Sequence, residues 1–312
     1  MNSEGKNVFV VIVTYNGEQW IQKCLQSVYD SEVKLTPIVV DNASIDTTLK
    51  IIEQYFTEAH IINSGENLGF GAANNLGISY AIKKGADFVF LLNQDAYLEK
   101  DAVSIMLKVA GEQPEFGLFS PVHFNGDGSA IEFHFLKVIG PKTVQSLNSD
   151  LITKNYRKSI YQARFINAAA WMIPVNVFKK IGGFDPIFFM YGEDDNFCQR
   201  LLYHGFKIGV VPQAMVYHDT QDNNHQAEAD SKKYFAQFLN QVKVRFANIN
   251  TQEIKKLWRF KLYLQRKAVQ KLLRGDIKGY RRYIKKKSLI DKRQIWDSYK
   301  MNQIKAPHYL DI

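Results

Sequence analysis

The sequence has 312 residues, of which 46% are hydrophobic and 23% charged, and it contains two cysteines, Cys24 and Cys198. These values exclude a disordered chain, a disulfide scaffold and a CxxC metal site, and the length allows one large α/β domain with a smaller appendage. The chain starts without a signal-peptide pattern, and no stretch has the roughly 18 apolar residues of a membrane-spanning helix. We therefore expect a cytoplasmic protein with reduced cysteines.

The net charge of +9 is unevenly distributed along the chain. Residues 232–312 hold 22 Lys and Arg against 5 Asp and Glu, whereas residues 1–231 hold 18 against 26. This change of sign predicts two regions with different electrostatic roles, one over residues 1–230 and a basic one over residues 231–312.

Strand and helix patterns alternate through the first hundred residues. The β-branched run Val8–Thr14 predicts a strand that is covered on both faces. Strands are also predicted at 37–40, 60–62 and 87–92, and apolar spacing predicts helices at 20–28, 46–56 and 72–83. This alternation is typical of an α/β fold with a mostly parallel central sheet flanked by helices.

The second half of the sequence is less regular, and residues 111–163 show no strong period. Beyond them we predict a strand at 165–173, a helix that starts at Pro174, a helix at 193–203, a pair of strands at 208–211 and 214–217, and only helices after about residue 229. The last of these predictions makes the basic region a helical C-terminal appendage.

The common phosphate-binding loops of α/β proteins do not occur in this sequence. The segment from Gly69 to Asn74 lacks the third glycine of the Rossmann fingerprint and does not follow the first strand, and there is no GxxxxGK[ST] motif. A bound nucleotide must therefore be held in another way.

Polar residues follow four successive predicted strands, which is where open α/β sheets bind their ligands. They include Thr14 and Asn16 after the first strand, Asp41, Asn42 and Ser44 after the second, Asn67 after the third, and Asn93, Gln94 and Asp95 after the fourth. Such residues also end strands because they make turns. Four strand ends in succession nevertheless favour a binding site.

Two positions at strand ends are candidates for metal binding. Asp95 is a carboxylate beside other oxygen donors, which suits Mg²⁺ or Mn²⁺ bridging a diphosphate, although the same residue is common in turns. His218 ends the strand AMVYH, and it is either a ligand of the same metal or a structural histidine.

An acidic cluster opens the predicted helix at 193–203, with Glu193, Asp194 and Asp195 in its first turn. The helix dipole alone favours acidic residues there. Three consecutive carboxylates exceed what a cap requires, and their mutual repulsion should raise at least one pKa. A carboxylate with a raised pKa can act as the general base for a sugar hydroxyl.

The ordered set VIVTYN, DNAS, NLGFGAANNLGI, LLNQDA, GGFDPIFFMYGED and VYH resembles family 2 glycosyltransferases of the GT-A fold, over about residues 7–220. The resemblance is greatest to the rhamnosyltransferase-like enzymes that build bacterial surface polysaccharides. It implies a GT-A-like sheet and an inverting, metal-dependent enzyme that uses a UDP- or dTDP-linked sugar, Mn²⁺ or Mg²⁺, and a hydroxyl acceptor.

The resemblance also implies a role for each matching residue. Asp194 would be the catalytic base and Glu193 its supporting partner, and Asp95 and His218 would bind the metal. The nucleotide-sugar would be contacted by Thr14, Asn16, Asp41, Asn67, Asn75, Asn93 and Asp95. The sequence departs from the family at EDDN, where Asn196 stands in place of a carboxylate, and at NQD, which leaves the donor sugar open.

Two rival functions fit parts of the pattern. A sugar-nucleotide nucleotidyltransferase has a similar sheet, but it would carry a glycine-rich basic loop after the first strand, and TYNGEQW is not such a loop. A non-catalytic scaffold that binds glycan or lipid is the other rival, and the presence of Asp95, Glu193 and Asp194 argues against it.

The basic region admits three interpretations. It is a packed appendage with a solvated basic face, a peripheral surface that meets anionic lipid at the inner face of the plasma membrane and presents a lipid-linked glycan acceptor, or a nucleic-acid-binding element. Nucleic acid is the least favoured partner.

Overall fold

The computed structural model describes residues 5–220 and 227–312. The described chain contains one nine-stranded mixed sheet. Its strands are β1 (Val8–Thr14), β2 (Leu35–Asp41), β3 (His60–Asn63), β4 (Phe88–Asn93), β5 (Ala96–Leu98), β6 (Phe116–Asn125), β7 (Tyr161–Ala163), β8 (Ala170–Pro174) and β9 (Lys207–His218). Their spatial order is β3-β2-β1-β4-β8-β6-β9-β5, and β7 pairs with β9.

The first four strands are parallel, as the sequence predicts, and their register brings the polar strand ends together. Thr14 lies opposite Asp41, and Val13 lies opposite Asn93. The β-branched strand β1 is buried along almost its whole length because helices cover both faces of the sheet. Carboxyl ends of parallel strands share one edge, so the predicted binding residues meet there.

Helices cover the sheet and then form the C-terminal region. The first eight are α1 (Ile21–Tyr29), α2 (Thr48–Tyr55), α3 (Phe70–Lys83), α4 (Ala102–Glu112), α5 (Phe133–Val138), α6 (Leu147–Thr153), α7 (Val175–Ile181) and α8 (Glu193–Tyr203). After β9 come α9 (Lys232–Phe246), a short 3₁₀ helix (Glu253–Lys256), α10 (Leu257–Leu273), α11 (Ile277–Ser288) and α12 (Lys292–Met301). In the described residues, none of the helices combines the length and apolarity needed to cross a membrane.

Three of the predicted strands differ in the structure. The predicted pair at 208–211 and 214–217 is the single strand β9, whose pairing with β6 shifts between Val211 and Met215. Pro212 lies within this shift, and proline has no N–H to offer the ladder. The strand predicted at 165–173 begins only at Ala170, because Ala169 N–H donates to Asn167 O at 2.9 Å in a tight turn.

The C-terminal helices pack on the sheet domain through a hydrophobic cluster of their own. Ile187 and Phe188, from the loop before α8, are buried against Phe246, Leu257 and Ile295 among other residues of α9, α10 and α12. The prediction of helices there is confirmed, and part of the core lies between the two regions.

The last residues of the chain return to the sheet domain. Gly183 N–H donates to His308 O at 2.9 Å, Asp311 N–H donates to Ser79 Oγ at 3.1 Å, and Lys83 forms an ion pair with Asp311. These contacts connect the C-terminal end to α3 and to the turn after α7.

Candidate active site

A cleft of about 740 Å³ opens beside the carboxyl end of β4. Residues from distant parts of the chain line it. They include five of the predicted site residues: Asn93, Asp95, Glu193, Asp194 and His218. The structure therefore brings the predicted metal ligands and the predicted base to one cavity.

Asp95 and His218 are neighbours because β5 pairs antiparallel with β9, which places Ala96 opposite His218. His218 Nε2 lies 3.3 Å from Asp95 Oδ1, and Asp219 N–H donates to Asp95 O at 2.8 Å. His218 Nδ1 is buried and has no hydrogen-bond partner among the described residues. Asp95 and His218 thus place a carboxylate and an imidazole side by side on the cleft lining.

A second histidine lies behind His218. The rings of His123 and His218 meet edge to face with their centroids 6.4 Å apart. Burial, and then the proximity of His218, hold the pKa of His123 well below its usual range. His123 is therefore neutral and adds no positive charge to the cleft.

The acidic turn on the other side of the cleft begins at Gly192, whose φ of 97° suits glycine. Burial, and then Asp194, raise the pKa of Glu193 to about 8, and Glu193 Oε2 is buried without a hydrogen-bond partner among the described residues. Burial also raises the pKa of Asp194, although backbone N–H groups partly oppose this. At neutral pH the turn therefore holds Glu193 largely protonated.

The other two positions of the EDDN segment are not among the residues that line the cleft. Burial and Asp194 raise the pKa of Asp195 to about 6, and its N–H donates to Asp194 Oδ1 at 2.8 Å. Asn196 is buried and its Oδ1 accepts a hydrogen bond from Arg200 Nε at 3.0 Å, one turn along α8. Asn196 is thus a partner of the buried Arg200.

Thr14, Asn16 and Asp41 form a network at the ends of β1 and β2 and are not among the residues that line the cleft. Thr14 Oγ1 donates to Gln94 Oε1 at 2.7 Å, which fixes Gln94 beside Asp95. Asn16 Oδ1 accepts from Ile45 N–H at 2.9 Å, and Asp41 Oδ2 accepts from Ser44 N–H at 3.1 Å. The network holds the loops that follow both strands.

The two remaining predicted residues, Asn67 and Asn75, form hydrogen bonds to the backbone of neighbouring loops. Asn67 Oδ1 accepts from Gly69 N–H at 2.9 Å, at the start of α3. Asn75 binds both backbone groups of Phe184, donating to its O at 2.8 Å and accepting from its N–H at 2.7 Å. Asn75 is buried within α3, outside the cleft lining, and it fixes the loop that leads to α8.

The cleft also contains side chains that sequence reasoning missed. Glu132 and His134 come from the N-terminal end of α5, and Lys233 and Gln237 come from the first turns of α9. Glu132 caps α5 by accepting from Phe135 N–H at 2.6 Å. No motif marks these positions, and only the three-dimensional packing brings them to the cleft.

Comparison with known proteins identifies the family of the chain. Residues 9–182, more than half of the chain, match the family described as "Glycosyl transferase family 2", and residues 154–225 match the one described as "N-terminal domain of galactosyltransferase". Rhamnosyltransferase WbbL of Escherichia coli (strain K12) is 25% identical over 239 residues, which cover 73% of this chain and 87% of that protein.

Two further proteins illustrate the similarity. N-acetylglucosaminyl-diphospho-decaprenol L-rhamnosyltransferase of Mycobacterium tuberculosis (strain ATCC 25618 / H37Rv) is 25% identical over 229 residues, covering 67% of this chain and 75% of that protein. The solved structure of mannosyltransferase PcManGT from Pyrobaculum calidifontis in complex with GDP-Man and Mn²⁺ has a TM-score of 0.55 at 16% identity, over 80% of this chain and 65% of that one. The chain belongs to glycosyl transferase family 2, has a GT-A-like fold and is a glycosyltransferase similar to the rhamnosyltransferases.

Proposed function

We propose that the protein is an inverting, metal-dependent glycosyltransferase that moves a sugar from a UDP- or dTDP-linked donor to a hydroxyl acceptor in the assembly of bacterial surface polysaccharide. The observation that carries the proposal is that Asp95 and His218 share one cleft with Asp194 and Glu193. Transfer requires groups that act on the leaving diphosphate and a base for the attacking hydroxyl, held around one anomeric carbon.

Two kinds of residue would bind the donor. Asn93 and Asp95 lie on the cleft lining and would contact it directly. The other proposed donor-binding residues hold the loops around the cleft; they are Thr14, Asn16, Asp41, Asn67 and Asn75. The complex of the mannosyltransferase neighbour with GDP-Man and Mn²⁺ supports a nucleotide-sugar donor with a divalent metal.

Asp95 and His218 fit a divalent metal, Mn²⁺ or Mg²⁺, by their chemistry. Carboxylates suit both ions, neutral imidazole is a common metal ligand, and the 3.3 Å between Oδ1 and Nε2 allows both atoms to bind one ion. The described residues contain no group of three or more His, Cys, Asp or Glu side chains that could hold a metal, so Asp95 and His218 are the two residues that we propose would hold it. When bound, the metal stabilises negative charge on the departing diphosphate.

Asp194 is the proposed base. Its carboxylate removes the proton from the acceptor hydroxyl, the hydroxyl oxygen attacks the anomeric carbon, and the nucleoside diphosphate leaves from the opposite face, which inverts the anomeric configuration. Burial raises the pKa of Glu193 to about 8, so Glu193 is largely protonated near neutral pH and adds little negative charge beside Asp194.

The proposed acceptor is a glycan or a lipid-linked glycan, met in the cytoplasm at the inner face of the plasma membrane. Lys233 and Gln237 support a role for the C-terminal region in acceptor binding, because α9 contributes both side chains to the cleft. We accordingly propose a catalytic domain over 1–230 and a basic helical region over 231–312 that completes the cleft.

A thermal-shift screen of nucleotide-sugars tests this proposal. With Mn²⁺ present, one UDP- or dTDP-sugar should raise the melting temperature more than the same compound does with EDTA, because ligands that bind only the folded state stabilise it. Proton NMR of the product made from that donor should then show the inverted anomeric configuration. Retention of configuration, or no stabilisation by any nucleotide-sugar, would contradict the proposal.

A further inference from the structure

Helix α10 is apolar on two separate sides. On one side, Leu257 and Leu264 pack into the cluster shared with the sheet domain, and Ala268 is buried. The other side carries residues spaced by four, seven and four positions, which places them in one line along a helix of 3.6 residues per turn. This apolar stripe consists of Trp258, Leu262, Val269 and Leu273.

The apolar stripe is on the surface. Trp258 is 53% exposed, Leu262 41%, Val269 42% and Leu273 82%. Ile277, at the start of the next helix, is also exposed and extends the apolar surface beyond the end of α10. A surface helix normally buries its one apolar side and keeps the opposite side polar, so the apolar stripe indicates a contact surface.

Arginines lie beside the apolar stripe. Arg259 and Arg266 lie roughly a quarter turn around α10 from Trp258, at about 100° per residue, and Arg274 follows the end of the helix. All three are exposed, and within the described residues none of them has a carboxylate at ion-pair distance. Their charges are therefore available to an external anion.

We propose that the apolar stripe of α10 lies on an anionic lipid surface, with the side chains of the stripe in the acyl boundary and Arg259, Arg266 and Arg274 at the headgroups. A lipid surface offers apolar depth and negative charge together, which matches both observations. A second copy of the chain would bring another strongly basic region against this one, and the two would repel each other. Nucleic acid offers negative charge but no apolar interior in which the side chains of the stripe could be buried.

Packing between helices connects α10, which carries the apolar stripe, to the cleft. Phe260 of α10 packs on Phe246 of α9 at a centroid distance of 5.3 Å, and α9 contributes Lys233 and Gln237 to the cleft. Asn240 Nδ2 of α9 donates to Met190 O at 2.6 Å, next to the acidic turn. The proposed contact between the apolar stripe and lipid extends the proposed function and rests on it. A lipid-linked acceptor would reach the cleft from the side of the stripe.

Vesicle co-sedimentation of the full chain tests the apolar part of the proposal. The parent should sediment with vesicles of phosphatidylcholine and phosphatidylglycerol, and L262E/L273E should bind them about tenfold less tightly or weaker, because two apolar side chains lose their burial. I152E is the matched control, since Ile152 on α6 is 83% exposed, and it should bind like the parent. Equal binding by L262E/L273E and I152E would overturn the proposal.

A second triple variant tests the charges without touching the stripe. R259Q/R266Q/R274Q should bind anionic vesicles about a hundredfold less tightly, at roughly fivefold for each arginine near the surface. K50Q/K108Q/K142Q removes the same charge from exposed positions of the sheet domain and should bind within about twofold of the parent, because charges away from the bilayer are screened. Equal losses in the two triple variants, or parent binding that does not prefer anionic over neutral vesicles, would overturn the proposal.

Two further outcomes would also contradict it: a dimer in sedimentation that L262E/L273E dissociates, and salt-sensitive RNA binding without vesicle binding. Calorimetry with UDP and dTDP on the same preparations separates this proposal from the proposed function. A parent that binds nucleotide but not vesicles contradicts the lipid surface alone, and one that binds vesicles but no nucleotide contradicts the proposed function alone.

Discussion

His218 Nε2 lies 3.3 Å from Asp95 Oδ1, although the two residues are far apart in the chain. The short strand β5 produces this proximity, because Ala96 pairs with His218 immediately after Asp95. The arrangement joins the end of the parallel half of the sheet to the end of β9, and it gives the cleft its carboxylate and imidazole pair.

Replacing Asp194 with Asn should reduce turnover by about a hundredfold or more while donor affinity changes little. The reason is that a general base acts in the transition state and contributes little to ground-state binding of the donor. Steady-state kinetics for transfer and calorimetry for donor binding measure the two quantities separately.

Asp195 provides the matched control for that experiment, because it is adjacent and has the same charge but lies outside the cleft lining. Asp195→Asn should keep turnover within about tenfold of the parent. If Asp195→Asn is the more damaging change, the base lies one residue further along the chain than proposed.

The raised pKa of Glu193 predicts a pH-dependent stability. Between its ordinary pKa of about 4.5 and its folded value of about 8, the folded state holds a proton that the unfolded state releases, so the parent loses stability as the pH rises. Glu193→Gln removes this loss. Its free energy of unfolding relative to the parent should therefore increase by on the order of 3 kcal/mol from pH 5 to pH 8.

Asp150 should show the opposite sign. Hydrogen bonds from Arg157 and then Tyr161 lower the pKa of Asp150 to about 2, so Asp150→Asn should be less stable than the parent at both pH values. Urea unfolding at pH 5 and pH 8 gives the free energy of unfolding of the parent, Glu193→Gln and Asp150→Asn. A difference between Glu193→Gln and the parent that does not change with pH would contradict the buried environment of Glu193.

Gly69 is predicted to be required by both conformation and space. Its φ is 78°, and an added Cβ would collide with the carbonyl oxygen of Phe189, which accepts from Phe70 N–H at 3.1 Å. Gly65 has a φ of 74° and open space around it. Gly65→Ala should therefore cost about 1 kcal/mol from strain alone, and Gly69→Ala about 2 kcal/mol or more. Urea unfolding that gives equal costs would show that the loop before α8 does not pack on α3 as described.

The C-terminal helices should be part of the cooperative fold. Phe246 is fully buried against the loop before α8, so Phe246→Ala should cost about 3 to 5 kcal/mol in the free energy of unfolding. Tyr263 is exposed on α10, and Tyr263→Ala should cost less than about 1 kcal/mol. Two separate unfolding transitions, with only one affected by Phe246→Ala, would contradict a shared core.

Much of the fold follows from local patterns in the sequence. The prediction of β1 as Val8–Thr14 and of α8 as Glu193–Tyr203 is confirmed because a β-branched run and an acidic first turn are local signals. The predicted strand pair is wrong because Pro212 interrupts the hydrogen-bond pattern while the chain continues in the same direction. The return of the C-terminal end to Gly183 depends on long-range packing, which no local pattern encodes.

The candidate site was predictable where it lies at strand ends. Asp95 and His218 were both identified as strand-end residues, and the sheet brings them together. Glu132 and Lys233 were not predictable, because the first lies in a segment without periodicity and the second reaches the cleft only through the packing of α9. Asn75 was predicted to shape the pocket, and the structure shows its amide bound to the backbone of Phe184.

The central claim is that Asp95 belongs to a metal-supported nucleotide-sugar site. Calorimetry of UDP and dTDP binding to the parent, Asp95→Asn and Asp219→Asn, with Mn²⁺ or with EDTA, tests it most directly. The parent should bind one nucleotide more tightly with Mn²⁺. Asp95→Asn should lose about tenfold or more of that affinity. Loss of a direct metal ligand should weaken binding at least as much as loss of a residue that only orients a ligand. Asp219→Asn removes the same charge from an exposed neighbour of His218 and should bind like the parent. Affinity that is independent of Mn²⁺, or equal in the parent and Asp95→Asn, would contradict a metal-supported nucleotide-sugar site at this position.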